Sequence, residues 1–226
     1  MKRLLDALIS AFGCLAFAPV IFFIGLAIRL TSPGPIFFFQ TRMGLNGIPF
    51  KMCKFRTMVI DAEQRGGHFT QKNDPRITPI GRFLRRTKLD ELPQLFNVIK
   101  GEMSLVGPRP DTPKRVSKYT PEMLEILKVR PGITSIASIH FRNEESIFDI
   151  AQGDPDDFYI KHIAPAKIEI AMAHVHHNSL WFDLQVLLLT LWHLTLGRFF
   201  PHTEHPVLSH LRQTAGQLSH TATNEG

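Results

Sequence analysis

The residues best suited to chemistry are an adjacent acidic pair, Asp90-Glu91, set between a basic run and a rigid turn. Arg82, Arg85, Arg86 and Lys88 precede the pair, and Gly107-Pro108-Arg109-Pro110 follows it. Carboxylates among arginines make a poor apolar core, because an ion removed from water is costly unless it is paired. They suit a place where a carboxylate meets a phosphate. Arginine offers forked donors to phosphate oxygens, and a helix start adds free N–H groups and positive potential. A carboxylate placed there has two uses. It can attack phosphorus and form an acyl phosphate, or hold a divalent cation that neutralises a diphosphate. Acidic residues at helix starts also serve as plain caps and dipole partners. The density of nearby cations weighs against that simpler role.

The elements that must position the pair are readable around it. Leu92, Leu95, Phe96 and Ile99 recur at helical spacing. Pro93 is tolerated only in a first turn, which puts Asp90-Glu91 at the helix N-terminus, and Gly101 suits the stop. Upstream, Ile36 to Arg42 and Pro49 to Phe55 read as two strands around a tight Asn46-Gly47 turn. The second strand runs into Lys54-Phe55-Arg56-Thr57-Met58. Residues 61–78 read as a polar loop. Downstream, 121–129 reads as a short helix, Ile133 to Phe141 as extended chain, and 155–180 as helical with a break near Pro165. Leu184 to Phe200 is apolar, with Trp181 and Trp192 suited to a membrane interface, and reads as an interfacial or packed helix. Residues 201–226 are polar and read as a disordered tail. The fold class expected is α/β, mostly helical with a small β-hairpin.

The chain carries a net charge of +6, concentrated between residues 42 and 88, where eleven Lys/Arg face three acids. Such a block favours anionic partners. Two cysteines define neither a disulfide framework nor a metal site. His174, His176 and His177 form a cluster with no second ligand group at metal spacing, which favours a structural or surface role. His202, His205, His210 and His220 fall in the tail. Cys53 beside Lys54 reads as a packed strand thiol.

Ala7 to Ile28 is a run of 22 uncharged residues. As one helix it would reach roughly 30 Å, enough to cross a bilayer. A cleaved signal peptide fits badly, since Asp6 intrudes, the run continues past Ala16-Phe17-Ala18, and Pro19 stands where cleavage would fall. A straight span must accommodate Pro19 near its middle. A re-entrant hairpin would use Pro19 as its break. Lys2 and Arg3 lie on one side of the run and Arg29, Arg42, Lys51 and Lys54 on the other. Positive charge is biased to the cytoplasmic face, so this flanking favours the hairpin, with the straight span still open.

Taken together in order and spacing, several short motifs resemble the bacterial sugar transferases, the monotopic phosphoglycosyl transferases. They are Pro33-Gly34-Pro35-Ile36-Phe37, Lys54-Phe55-Arg56-Thr57-Met58, Leu89-Asp90-Glu91-Leu92-Pro93-Gln94, Gly107-Pro108-Arg109-Pro110 and Arg130-Pro131-Gly132-Ile133-Thr134. The likeness extends from Lys2-Arg3 and Asp6 to about Leu191. It implies transfer of a sugar 1-phosphate from a UDP-sugar to undecaprenyl phosphate, with release of UMP. That step begins a capsule, exopolysaccharide, O-antigen or glycoprotein glycan.

By the same resemblance Asp90 is the nucleophile of a covalent phosphosugar intermediate, and Mg²⁺ binds close to its carboxylate. Glu91 assists the metal or a proton transfer. Arg85 and Arg109 are phosphate ligands, and Lys54 and Arg56 line the site; Arg86, from the basic run itself, adds charge. The resemblance also implies a re-entrant helix in residues 1–30, broken at Ala18-Pro19, where the family's Ser-Pro has lost its serine. A cytoplasmic catalytic domain with interfacial helices would fill 31–200, on the bacterial inner membrane. The chain begins at this core and so resembles the family's minimal form, a homo-oligomer being compatible with it. Nucleic acid is not an expected partner. The segment after Gly132 departs from the commoner Ile-Thr-Gly pattern, which leaves donor preference unread. The competing class is a non-catalytic, membrane-anchored scaffold that binds anions through residues 42–88.

Overall fold

The computed structural model describes residues 1–65, 74–141, 154–176 and 179–195. The expected tail (201–226), the middle of the 61–78 loop, His177 and the end of the Leu184–Phe200 segment lie outside the described residues.

Two helices open the chain, α1 (Lys2–Ala16) and α2 (Ala18–Thr31), bent by 60° at the break between them. The break falls at Phe17. Pro19 sits in the first turn of α2, where its missing N–H would have had no helical partner. Among the described residues no single helix is long and apolar enough to cross a membrane, but this bent pair passes the test together. Both ends of the pair are fastened to the rest of the protein, the far end by Arg56, whose guanidinium donates to the Ser32 and Pro33 carbonyls. Lys2 Nζ pairs with Asp183 and donates to the Val106 carbonyl, and Arg3 donates to the carbonyls of Val98 (2.6 Å) and Ile99 (2.7 Å). Asp6, the acid that intrudes on the apolar run, is buried and accepts a 2.7 Å bond from Ser104 Oγ.

Strands β1 (Phe37–Met43) and β2 (Pro49–Phe55) pair antiparallel, from Phe37 opposite Phe55 to Met43 opposite Pro49. The expected hairpin is present, but its tight two-residue turn is not. Leu45–Gly47 forms a 3-10 turn, closed by Gly44 N–H to the Ile48 carbonyl at 2.9 Å. Asn46 and Gly47 still take the left-handed conformations their types favour, with φ of 56° and 72°. The loop between β2 and the next long helix holds the short α3 (Ala62–Arg65) and a bridge between Met58 and Ile77.

Helix α4 (Pro79–Thr87) is capped by Thr78, whose hydroxyl accepts from Gly81 N–H at 3.0 Å. It ends at Lys88 in a left-handed conformation. A 3-10 turn over Leu89–Glu91 follows, and α5 (Gln94–Lys100) stops at Gly101, φ 90°. The acidic pair therefore lies one turn before α5 rather than in it. The buried face of α5 matches the apolar stripe only in part: Leu92 and Leu95 pack against the cores, but Phe96 and Ile99 do not. Gln94, Asn97 and Val98 are buried, whereas Phe96 and Ile99 are 40% and 38% exposed. Asn97 explains this, because its side chain bonds the β2 backbone, accepting from Cys53 N–H at 2.9 Å and donating to the Lys51 carbonyl at 2.8 Å. The satisfied amide, together with Leu92 and Leu95, sets which face turns inward.

Strand β3 (Ser104–Val106) pairs in parallel with β4 (Gly132–Thr134); between them lie α6 (Pro113–Val116) and α7 (Pro121–Leu124). The expected extended run to Phe141 ends at Thr134. Ser135 then caps α8 (Ile136–His140), its Oγ accepting from Ser138 N–H at 3.0 Å. A short β-branched run reads as a strand until a cap of this kind overrides it. Residues 155–176 form α9 (Pro155–Phe158), a π-helical stretch over Tyr159–Ile163, and α10 (Ala164–His176). Pro165 does not break the helix. The wider turn just before it absorbs the ring and the missing donor. The last described element, α11 (Leu180–Thr195), joins Phe50, Met52, Val98, Met103, Leu105 and Val106 in one core through Val186. A second core holds Ile24, Ile28, Phe55 and Leu84, joining α2, β2 and α4.

Candidate active site

Asp90 and Glu91 are both buried, at 7% and 9% exposure, and they have opposite surroundings. Glu91 is held by two cations. Lys54 Nζ, from β2, donates to its Oε1 at 2.9 Å. Arg109, from the turn after β3, donates to Oε1 at 2.6 Å and to Oε2 at 3.3 Å. Burial pushes the Glu91 carboxyl up, but Arg109 and Lys54 outweigh it and hold the group well below the usual carboxylate range. Asp90 has no such clamp. Its Oδ1 is buried without a hydrogen-bond partner. Burial raises its pKa, the Glu91 charge adds to the rise, and Lys54, Lys88 and Arg85 act against it. One carboxylate is thus fixed and ionised, while its neighbour carries an open oxygen.

The cations of the sequence motifs separate into groups. Lys54 and Arg109 meet at Glu91. Arg85, in the last turn of α4, is half-buried and lies close enough to act on Asp90; Lys88 follows it on the left-handed cap. Arg86 is exposed on α4. Arg56 is elsewhere. Its guanidinium donates to the carbonyls of Ser32 (2.9 Å) and Pro33, clamping the link between α2 and β1. Gly34 makes room for it at φ 110°, where a Cβ would stand 2.2 Å from Arg56 Nη1. Arg56 therefore ties the N-terminal helices to the hairpin, and its hydrogen bonds go to that link and not to Asp90 or Glu91.

Sequence reasoning missed the support behind Arg109. Asp111 accepts from Tyr119 Oη (2.7 Å), Tyr159 Oη (3.1 Å) and Arg115 Nη1 (3.1 Å). Arg42 donates to the Pro110 carbonyl at 3.1 Å, and Met43 N–H to the Asp111 carbonyl at 2.9 Å. Burial lowers the Arg42 pKa to about 10, against the pull of Asp111. Arg115 also bonds Asp156 at 3.0 Å and stacks over Tyr159, 3.9 Å from the ring centroid. This network fixes the end of the Gly-Pro-Arg-Pro turn to β1, α6 and the π-helical stretch. The only signal in the sequence was Asp111 directly after Pro110; Arg115 and Tyr119 follow it closely, but Arg42 and Tyr159 are far away along the chain.

Among the described residues no group of three His, Cys, Asp or Glu could hold a metal by itself. Mg²⁺ commonly needs only one or two carboxylates, with water and substrate phosphates completing its shell. The unpartnered Asp90 Oδ1 fits such a ligand. Both Glu91 oxygens are already taken.

A strand-borne lysine and a turn-borne arginine converging on one acid, with an open aspartate beside it, define an anion-handling site fed by three separate elements. Residues 1–197 match the family described as bacterial sugar transferase, and the chain belongs to that family. It is 36% identical over 197 residues to the UDP-glucose:undecaprenyl-phosphate glucose-1-phosphate transferase of Escherichia coli, covering 85% of this chain and 39% of that protein. The Caulobacter vibrioides protein of the same name is 37% identical over 193 residues, covering 84% of this chain and 67% of the relative. The UDP-N-acetylgalactosamine-undecaprenyl-phosphate N-acetylgalactosaminephosphotransferase of Aeromonas hydrophila is 35% identical over 200 residues, 87% of this chain and 44% of the relative. The chain thus spans well under half of two of these proteins.

Proposed function

We propose that this protein moves a sugar 1-phosphate from a UDP-sugar to undecaprenyl phosphate, releasing UMP, as the first step in building a surface polysaccharide or glycan. The observation that carries the reading is the contrast between a clamped Glu91 and an open, buried Asp90 beside it. An Asp90 oxygen attacks the β-phosphorus of the donor. The bond from that phosphorus to the bridging oxygen breaks, and UMP leaves with the electron pair. A phosphate oxygen of the lipid then attacks the same phosphorus and frees Asp90. No proton is consumed in either step.

Such transfer depends mostly on positioning and charge neutralisation. Arg85 and Lys88 stand beside Asp90 to meet phosphate oxygens. Glu91 holds Lys54 and Arg109 in place, so that their positive charge is fixed where the diphosphate would bind. Asp90 would also be the ligand for Mg²⁺, which supplies neutralisation of the diphosphate charge. The sugars named for the relatives include glucose and N-acetylgalactosamine, so the donor class is UDP-hexoses.

The site would work at a membrane surface, on the cytoplasmic face of the bacterial inner membrane where UDP-sugars are made. The fastened ends of the α1–α2 pair support a re-entrant, monotopic insertion, because both ends return to the same body. Exposed apolar side chains support it too. Phe12 is 72% exposed and Phe22 and Phe23 are each 65% exposed on the bent pair, and Trp181 is 68% exposed on α11.

The test is UMP release from a panel of UDP-sugars with Mg²⁺ and undecaprenyl phosphate. Wild-type protein turns over and Asp90→Asn does not. Undiminished turnover by Asp90→Asn would remove the nucleophile assignment. Salt-sensitive binding to anionic lipid, with no turnover and no dependence on Asp90, would instead favour a scaffold.

A further inference from the structure

Gln94 is 1% exposed, and its Nε2 is buried with no hydrogen-bond partner. Among the described residues, few buried side-chain atoms lack a partner, and Asp90 Oδ1 is another. The two residues are one turn apart. Leu92 (φ −51°, ψ −39°) and Pro93 (φ −62°, ψ −16°) between them are both right-handed helical. Residues spaced by four on such a turn share a face, with Cβ atoms roughly 5–6 Å apart. Asn97, the next inward residue of α5, is bonded to the β2 backbone, so this face is the one turned toward β2 and Lys54. Native proteins rarely leave a buried amide N–H and a buried carboxylate oxygen unsatisfied side by side. A guest that accepts from the amide and stands against the carboxylate would resolve both.

We propose that Gln94 is a further catalytic residue, its amide donating to a phosphoryl oxygen of the donor while Asp90 attacks the phosphorus. This rests on the reading of Asp90 as nucleophile. An amide N–H cannot ligate a cation, so the guest it calls for is an acceptor. The donor's β-phosphoryl group carries such oxygens on the phosphorus that Asp90 attacks. As the Asp90–phosphorus bond forms and the bond to UMP breaks, negative charge stays on those oxygens. A donor already buried on the face it shares with Asp90 needs little reorganisation, and removing one donor of this type costs about 10²–10³-fold in rate.

The experiment uses Gln94→Met, close in shape and apolar, with Gln94→Leu as a second variant. Both are assayed for the pre-steady-state burst of UMP and for thermal unfolding. A residue serving only the fold loses stability and activity together. A residue kept for chemistry gives up an unsatisfied polar atom, so the melting temperature holds or rises. The proposal expects the burst rate to fall about 10²-fold, KM for the UDP-sugar to change little, and the melting temperature to be at or above wild type. A burst within threefold of wild type, or a rate loss accompanied by a lower melting temperature in both variants, overturns it. If Asp90→Asn still turns over, the underlying reading fails; if that variant is dead and Gln94→Met is fully active, only the role of Gln94 fails.

Discussion

Arg109 Nη2 lies 2.6 Å from Glu91 Oε1, joining the turn after β3 to the 3-10 turn before α5. The same oxygen receives Lys54 Nζ at 2.9 Å. Three segments therefore close on a single carboxylate. Glu91→Gln leaves two cations facing a neutral amide in a largely buried place. Loss of one partner from a buried ion pair costs on the order of 3 kcal/mol. Chemical denaturation should show a loss of that order, and UMP release should fall sharply because Lys54 and Arg109 lose their common anchor. A stability within 0.5 kcal/mol of wild type, a difference typical of a surface site, would contradict the clamp.

Asp90→Asn should abolish turnover yet stabilise the fold, by about 1 kcal/mol, because it removes a buried charge with an open oxygen. Unfolding of the variant and of wild type at neutral pH checks the sign. A destabilised Asp90→Asn would mean that the carboxylate is held by interactions worth more than its burial costs.

The pair should also give opposite pH signatures. Glu91 is depressed below its ordinary value of 4.5. Between that value and its folded one the unfolded chain binds more protons, so its contribution is complete above 4.5 and is lost as pH falls. Asp90 is raised above its ordinary 3.8, so the folded state binds the extra proton and stability falls as pH rises through that window. Stability-versus-pH curves of Glu91→Gln and Asp90→Asn should therefore differ from wild type with opposite slopes. Parallel curves would refute the division.

Gly132→Ala tests how the arginine turn is placed. A Cβ on Gly132 would stand 2.1 Å from Gly107 N and 2.6 Å from its carbonyl oxygen, and backbone atoms so close cannot step aside. The β3–β4 pair must part, carrying Arg109 away from Glu91. Activity should drop at least tenfold, about 1.4 kcal/mol in transition-state terms. An Asp111→Asn variant, which weakens the brace at the other end of the turn, should change activity in the same direction. Normal kinetics for both would show that Arg109 needs no such placement.

Re-entrant insertion predicts that a cysteine at Met1 and one at Ile48, both exposed positions, react with an impermeant reagent from the same side of membrane vesicles. Reaction from opposite sides would make the bent pair a span.

The local chemistry was legible in the chain itself. Pro93 and Gly101 bound the short helix after the acidic pair, Pro19 marked the bend, and Asn46-Gly47 marked the hairpin, because proline fixes its own backbone and glycine and asparagine tolerate the left-handed conformation that other residues avoid. The motifs around Asp90, Arg109 and Lys54 gave the family. What the chain could not state was which polar groups find each other. Arg56 looked like a site residue and clamps the Ser32 and Pro33 carbonyls instead. Phe96 and Ile99 looked inward and are partly exposed, because Asn97 bonds the β2 backbone. Asp111 gained its importance from Arg42, Arg115, Tyr119 and Tyr159, which the fold gathers around it. The division between a clamped Glu91 and an open Asp90 is likewise tertiary. The two are neighbours with nearly the same chemistry, and only the placement of Lys54 and Arg109 against Glu91 leaves Asp90 with an open oxygen.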